Sequence, residues 1–303
     1  MTAAVKSRFL DLRGLAAFEH MRFTTRHRIE GAYSGRHLSR NQGGAGEFVD
    51  YREYAAGEDL RKLDWKVLAR TERAYVRLYQ DETNLMCTLA LDTSRSMLFG
   101  GRRKSTAGRT KLEYVQFLAT ALAYLIARGQ DQVGLALLGG QLRDWIPPAG
   151  TSNHVARLHA AIESIQTEPA TRMAAALGQL FEHVTRRGVL LVASDFLMDD
   201  LDELFAVLRQ FRHRQWEVLV LHVTDPDEER LPEGTAYHFV SLENDGSVDC
   251  SPADVRREYE TRFAAHVAAV RSLALALACD YRPVSTAIDY LHVLRGFLVE
   301  RAG

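Results

Sequence analysis

The sequence predicts an α/β fold with a doubly wound, mainly parallel sheet. Three short, mostly apolar segments, residues 85–91, 188–193 and 216–223, contain no proline and are typical of strands that are buried on both faces. Strand patterns and helix patterns alternate from residue 85 to the end of the sequence. Alternation of this kind implies right-handed crossovers between parallel strands, with helices on both faces of the sheet.

The segment that precedes the sheet is rich in basic side chains. Residues 1–40 contain eight basic and three acidic side chains, and Leu12, Leu15 and Phe18 fall at helical spacing. We expect a solvated basic helix that packs loosely on the main domain. Farther along, two segments read as strands of a small β-containing subdomain; these are residues 47–54 and 75–79.

The elements of the main domain follow in order after the first buried strand. The helix over residues 112–128 ends at Gly129, and strands are short apolar runs. The predicted helices are 112–128, 153–165, 171–187, 201–213, 255–278 and 288–299, and the further predicted strands are 132–138, 143–146 (an edge strand ended by Pro147 and Pro148), 236–242 and 281–284.

Length and composition limit the classes of protein. A chain of 303 residues suits one large α/β domain with an appendage, and we predict a division into residues 1–82 and 83–303. A formal net charge of −1 argues against a globally basic nucleic-acid binder. The three cysteines have no metal-binding spacing. No segment resembles a signal peptide or an apolar membrane span, so we expect a cytoplasmic protein.

Oxygen-bearing side chains follow two of the buried strands. Asp92, Ser94 and Ser96 come directly after the first strand, and Asp195 follows the second. If these strands are neighbours, their carboxyl ends meet at the edge where open α/β sheets bind ligands. Carboxylates and hydroxyls suit Mg2+ or Mn2+, and Thr171 could add another hydroxyl. The structural alternative is that Asp and Ser form turns and that Thr171 caps a helix.

A basic loop follows the predicted metal edge. Residues Arg102 to Lys111 contain no carboxylate, and we expect this loop to rim the same face. Its charges would then steer an acidic partner toward the metal. The alternative is a solvated connector with no role in binding.

The residues after the two strands resemble the metal-ion-dependent adhesion site of von Willebrand factor A domains. A second set of motifs, in the N-terminal part, is similar to the signature of the domain-of-unknown-function 58 family. The usual Gly-Asp-Asp of that signature is Gly-Glu-Asp here, which keeps the charge. The resemblance extends from about residue 30 to the end, and its N-terminal motifs are Glu47-Phe48, Arg52-Glu53-Tyr54, Gly57-Glu58-Asp59, Arg61, Leu63-Asp64-Trp65 and Ala69-Arg70.

The resemblance implies a metal-dependent binding function. Ser94 and Ser96 would bind the metal directly, Asp92 and Asp195 through water, and Thr171 in either way. One position on the metal would remain for a carboxylate from a protein partner. Members of the family are associated with MoxR-type AAA+ ATPases, so the resemblance implies, by analogy, an adaptor or chaperone-like role.

Two other classes of function are open. A metal-dependent hydrolase or phosphoryl-transfer enzyme would use the same metal to activate water. The sequence contains neither a GxSxG nor an HExxH motif, and Ser94 stands where phosphoryl transfer to Asp92 would need a second acid. Nucleic-acid binding would depend on the basic segments alone. We therefore expect a protein-binding module and not an enzyme.

Overall fold

The computed structural model describes residues 7–21, 23, 47–55, 63–80, 85–101, 108–169, 172–234, 236–243 and 246–302. The chain forms two compact units. The large unit combines Met1–Arg26 with Leu85–Gly303, and the small unit is His27–Asn84. The division into residues 1–82 and 83–303 that the sequence suggests stays a prediction.

Ten strands and nine α-helices lie within the described residues. The strands are β1 Glu47–Glu53, β2 Tyr75–Gln80, β3 Met86–Asp92, β4 Gln132–Leu138, β5 Leu142–Ala149, β6 Val189–Ser194, β7 Glu217–Thr224, β8 Tyr237–Val240, β9 Ser247–Cys250 and β10 Asp280–Ser285. The helices are α1 Leu12–Leu15, α2 Trp65–Thr71, α3 Lys111–Arg128, α4 Ser152–Glu163, α5 Met173–His183, α6 Leu201–His213, α7 Pro226–Glu229, α8 Pro252–Ala276 and α9 Tyr290–Ala302.

A six-stranded sheet forms the centre of the large unit. Its strand order is β10-β7-β6-β3-β4-β5, and every neighbouring pair is parallel except β4 with β5. After β3, the chain forms β4 and β5 on one side of β3. It then forms β6, β7 and β10 on the other side. The predicted doubly wound, mainly parallel sheet is therefore confirmed.

Helices cover both faces of this sheet, as the continuous apolar strands require. Alternate residues of β3 enter separate cores: Leu89 and Leu91 pack in one, and Ala90 packs in the other. Residues of α3, α4 and α9 contribute to the first core, and residues of α5, α6 and α8 contribute to the second. Both faces of the central strand are thus removed from water.

Two details of the predicted elements differ in the structure. Strand β5 does not end before Pro147 but continues to Ala149. Pro147 and Pro148 are tolerated within β5 because β5 is an antiparallel edge strand. On the open side of an edge strand, a proline does not remove a hydrogen bond to another strand. Strand β9, which the sequence analysis did not predict, pairs with β8 in an antiparallel arrangement.

The N-terminal segment packs more closely than the sequence indicates. Leu15, Phe18 and Phe23 are buried in the core on the α3 face, and the Phe23 ring lies 5.6 Å from that of Phe297. The expected loosely packed helix is therefore wrong. The segment has few apolar residues, and these pack against residues that lie far along the chain. The periodicity of the segment itself cannot predict such long-range contacts.

Within its described residues, the small unit contains a hairpin and one short helix. Strands β1 and β2, both predicted as strands, pair antiparallel. The Asp64 carboxylate caps α2 by accepting hydrogen bonds from the backbone N–H groups of Lys66 and Val67. In the part of the chain that the structure describes, no helix combines the length and apolarity needed to cross a bilayer.

Candidate metal centre

The candidate site lies where β3 and β6 end, side by side. The pairing of these two strands confirms that their carboxyl ends share one edge. Because the chain continues from β3 to β4 on one side and from β6 to β7 on the other, this is a topological switch point, the usual ligand position in open α/β sheets. Asp92 is the last residue of β3, and Asp195 directly follows β6.

Asp92 is a buried carboxylate held on both oxygens. Its Oδ1 accepts from the backbone N–H of Ser94 at 2.8 Å, and its Oδ2 accepts from the hydroxyl of Ser194 at 2.6 Å. Burial, and secondarily the nearby charge of Asp195, raises the pKa of Asp92 from 3.8 to about 7. An ionised Asp92 therefore lacks compensating positive charge.

The two predicted serine ligands meet beside Asp92. The Oγ atoms of Ser94 and Ser96 lie 2.8 Å apart; Ser94 is buried and Ser96 is half-buried. Backbone bonds to Glu168 fix this loop, since Arg95 N–H donates to the Glu168 carbonyl at 2.8 Å and Glu168 N–H donates to the Thr93 carbonyl at 2.8 Å. The hydroxyls are thus held by the fold.

The fifth predicted ligand, Thr171, lies outside the described residues, as does Ala170. The described chain resumes at Arg172, whose backbone N–H donates to the Gly139 carbonyl at 3.1 Å. A role for Thr171 at the site therefore stays a prediction.

Asp195 is bound to a lysine that the sequence analysis assigned to the exposed basic loop. Lys111 is fully buried; its Nζ donates to Asp195 Oδ2 at 2.6 Å and also to Glu228 Oε1. The expectation that Lys111 rims the face is wrong, because it is the first residue of α3 and points into the edge. Residues 102–107 of that loop lie outside the described residues.

The charges of this cluster determine its pKa shifts. Burial alone would raise the pKa of Asp195, but the Lys111 ammonium and the hydrogen bonds to the carboxylate lower it below its ordinary value. Burial alone would lower the pKa of Lys111, and the carboxylates of Asp195 and Glu228 raise it instead. The Lys111–Asp195 pair is therefore ionised.

Glu228 is held in place by a helix cap. Asp225 is the N-cap of α7, and its backbone N–H donates to Glu228 Oε2 at 3.0 Å in a capping box. The Thr286 hydroxyl donates to Asp225 Oδ2 at 2.8 Å, which links this loop to the end of β10. The sequence analysis missed Glu228. The Asp-Pro-x-Glu pattern could have predicted the cap, but not a contact with Lys111, which is 117 residues away.

A left-handed residue shapes the turn that carries Asp195. Phe196 has a φ of 54° and is fully buried, an unusual conformation for a bulky side chain. Its backbone N–H donates to Ser194 Oγ at 2.8 Å, and Leu197 N–H donates to Asp195 Oδ1 at 3.1 Å. The turn therefore fixes the orientation of the Asp195 carboxylate.

The types of oxygen atom at this edge suit a small divalent cation. The two serine Oγ atoms share a hydrogen bond of 2.8 Å, a separation that is also compatible with neighbouring ligands of an octahedral ion, which are about 2.9 Å apart for bonds of 2.0–2.1 Å. Among the described residues, no group of three or more His, Cys, Asp or Glu side chains is arranged to hold a metal. A metal here would therefore depend on the serine hydroxyls as well as on Asp92 and Asp195.

Comparison with known proteins identifies relatives along most of the chain. Residues 50–269 match the family described as "Protein of unknown function DUF58". Two similar proteins are the uncharacterized proteins Rv1480 of Mycobacterium tuberculosis and Mb1516 of Mycobacterium bovis. Each is 29% identical over 226 residues, which cover 72% of this chain and 67% of the relative.

Solved structures give weaker similarities. The conserved hypothetical protein BatB from Bacteroides thetaiotaomicron has a TM-score of 0.48 and 18% identity, over 72% of this chain and 99% of that one. The VWA domain of SpRpn10 has a TM-score of 0.40 and 11% identity, over 70% and 94% of the respective chains.

Proposed function

Because the chain belongs to the family described as "Protein of unknown function DUF58" and has a doubly wound, mainly parallel α/β sheet, we propose that it is a divalent-metal-dependent protein-binding module. The observation that carries this proposal is the convergence of Asp92, Ser94, Ser96 and Asp195 at one edge of the sheet. Hard oxygen donors in this number suit Mg2+ or Mn2+.

Each residue has a distinct role in this proposal. Ser94 and Ser96 would bind the metal directly through Oγ, and Thr171 would supply a further oxygen. Asp92 and Asp195 would act through water, as the family resemblance implies, and each of their carboxylate oxygens also accepts one hydrogen bond from the protein. The bound metal would supply a Lewis-acidic position for a carboxylate of a protein partner.

The proposed partner is a MoxR-type AAA+ ATPase, with this chain as its adaptor. This assignment is by analogy with the family. The half-exposed position of Ser96 supports access to the metal from outside the protein. Ordinary purification provides a test, in which the ATPase is expected to co-purify in Mg2+ and to be lost in EDTA. Retention in EDTA would contradict a metal-dependent contact.

An enzyme is the second candidate, and one contact disfavours it. A hydrolase needs a general base that is free to accept a proton from water. Asp195 is instead bound to Lys111 at 2.6 Å, and its pKa is lowered. Asp92 has a raised pKa, but both of its carboxylate oxygens already accept hydrogen bonds, from the Ser94 N–H and the Ser194 hydroxyl. We therefore propose that the edge binds and does not catalyse.

Calorimetry tests the metal site directly. We expect one Mg2+ or Mn2+ to bind per chain after EDTA has been removed, and a double variant Asp92→Ala, Ser94→Ala to lose this binding. Asp199→Ala is the matched control, since Asp199 is an exposed carboxylate four residues beyond Asp195. Equal binding by the double variant and the wild type would refute the assignment.

A further inference from the structure

Lys111 brings a positive charge to an edge that is proposed to bind a metal cation. We propose that Lys111 and Glu228 set the charge of this edge, so that it takes one divalent cation and then accepts a carboxylate. This inference rests on the proposed function. In this inference Lys111 and Glu228, which are not proposed metal ligands, control which ions bind at the edge.

The lysine ammonium cannot easily leave its position. Lys111 begins α3, and its backbone N–H donates to the Phe99 carbonyl at 2.9 Å. Thr110 caps the same helix by accepting from Glu113 N–H at 3.1 Å. The side chain is fully buried, so movement of Nζ away from Asp195 would leave a charge without a partner inside the protein.

Glu228 is equally fixed. Its Oε2 accepts from the backbone of Asp225, and its Oε1 accepts from Lys111. The carboxylate is almost fully buried. Lys111 and Glu228 therefore keep fixed positions beside the metal ligands and are not mobile surface groups.

The ionised groups at the edge have a simple balance. When the carboxylates of Asp92, Asp195 and Glu228 are all ionised, they and the ammonium of Lys111 together carry a net charge of −2. One divalent cation neutralises this charge. Burial raises the pKa of Asp92 to about 7 and also raises the pKa of Glu228, so the experiment is done above neutral pH. Without the ammonium, the loaded edge would keep a net negative charge and would repel an incoming carboxylate. Without Glu228, the edge would attract the metal less and the carboxylate more.

This reasoning predicts opposite effects for two neighbouring substitutions. Lys111→Met removes a positive charge at nearly constant volume, so Mg2+ should bind more tightly and a carboxylate more weakly, each on the order of tenfold. Glu228→Gln removes a negative charge, so both affinities should change in the reverse direction. Damage to the fold would instead weaken metal binding in both variants.

The experiment uses the full chain at pH 8. Titration calorimetry gives the Mg2+ affinity of the wild type and of each variant. Acetate is the carboxylate probe, and the paramagnetic relaxation of its methyl protons by protein-bound Mn2+, with protein in excess, reports its binding. Arg128→Met and Glu19→Gln are the matched controls, because this exposed pair lies at the other end of α3, about 25 Å from Lys111.

The outcomes separate the two proposals. Absence of Mg2+ binding by the wild type would refute the proposed metal site itself. If the wild type binds and both variants weaken metal binding together, the charge-setting role is wrong. Lys111→Met also leaves buried carboxylates without a partner and could fail to fold. Glu228→Gln keeps the Lys111–Asp195 pair, and its weaker Mg2+ and tighter acetate binding test the proposal independently.

Discussion

The raised pKa of Asp92 predicts a specific pH dependence of stability in the metal-free protein. Burial and Asp195 move this pKa from 3.8 to about 7. At about 1.4 kcal/mol per unit, ionised Asp92 therefore destabilises the folded state by about 4 kcal/mol relative to an unperturbed carboxylate. The folded state holds a proton that the unfolded state has lost between these two pKa values. Stability from this group is thus fully present below pH 4 and is lost as the pH rises to 7.

Substitution of Asp92 by Asn isolates this contribution. The variant is nearly isosteric and cannot ionise, so it should lack the Asp92 part of the pH dependence. Between pH 5 and pH 8 we expect the wild type to lose about 2–3 kcal/mol of stability relative to Asp92→Asn. Urea unfolding of EDTA-treated protein at pH 5, 6, 7 and 8 measures the difference.

Comparison of the two profiles cancels the other titrating groups. His222, for example, has its pKa lowered to about 4 by burial and by His266, and it contributes the opposite slope in both proteins. Asp199→Asn, at an exposed position, should follow the wild-type profile. Parallel profiles for the wild type and Asp92→Asn would show that Asp92 ionises normally and would refute the reasoning.

Three further predictions concern proton release on metal binding, the absence of catalysis and the rate of association with a partner. At pH 6, Mg2+ should release about 0.9 proton from Asp92; calorimetry in buffers of different ionisation enthalpy measures this number, and zero would contradict it. No hydrolase activity is expected, and metal-dependent turnover of a phosphoester or peptide that is lost in Asp195→Ala would overturn this expectation. Replacement of Arg102, Arg103 and Lys104 by Ser should slow association with the partner ATPase and flatten its salt dependence without changing Mg2+ affinity. Unchanged rates would indicate a simple connector.

Much of the large unit was predictable because its signals are local. The apolar run that forms β3 and the periodic pattern of α3 each specify an element without knowledge of its neighbours. Buried parallel strands then restrict the topology to few solutions. Strand β5 was harder, because only its edge position in the finished sheet explains why Pro147 and Pro148 do not end it.

The candidate site was predictable to the extent that its residues are close in sequence. Asp92, Ser94 and Ser96 lie within five residues, and Asp195 could be added because it ends a similar strand. The contacts of Lys111 depend on the order of the strands and on the α7 cap, which bring together residues up to 117 positions apart. In the sequence, this lysine cannot be distinguished from its basic neighbours.

The N-terminal segment offers a sharp test of packing that sequence periodicity could not reveal. Leu15 and Leu12 belong to the same four-residue helix, but Leu15 is 1% exposed and Leu12 is 52% exposed. Leu15→Ala should therefore cost about 3 kcal/mol through lost burial and a cavity, whereas Leu12→Ala should change stability by less than about 0.5 kcal/mol. Urea unfolding measures both. Because the two substitutions are chemically identical, their difference reports burial alone. Equal, small losses would mean that the segment packs loosely, as the sequence alone suggests.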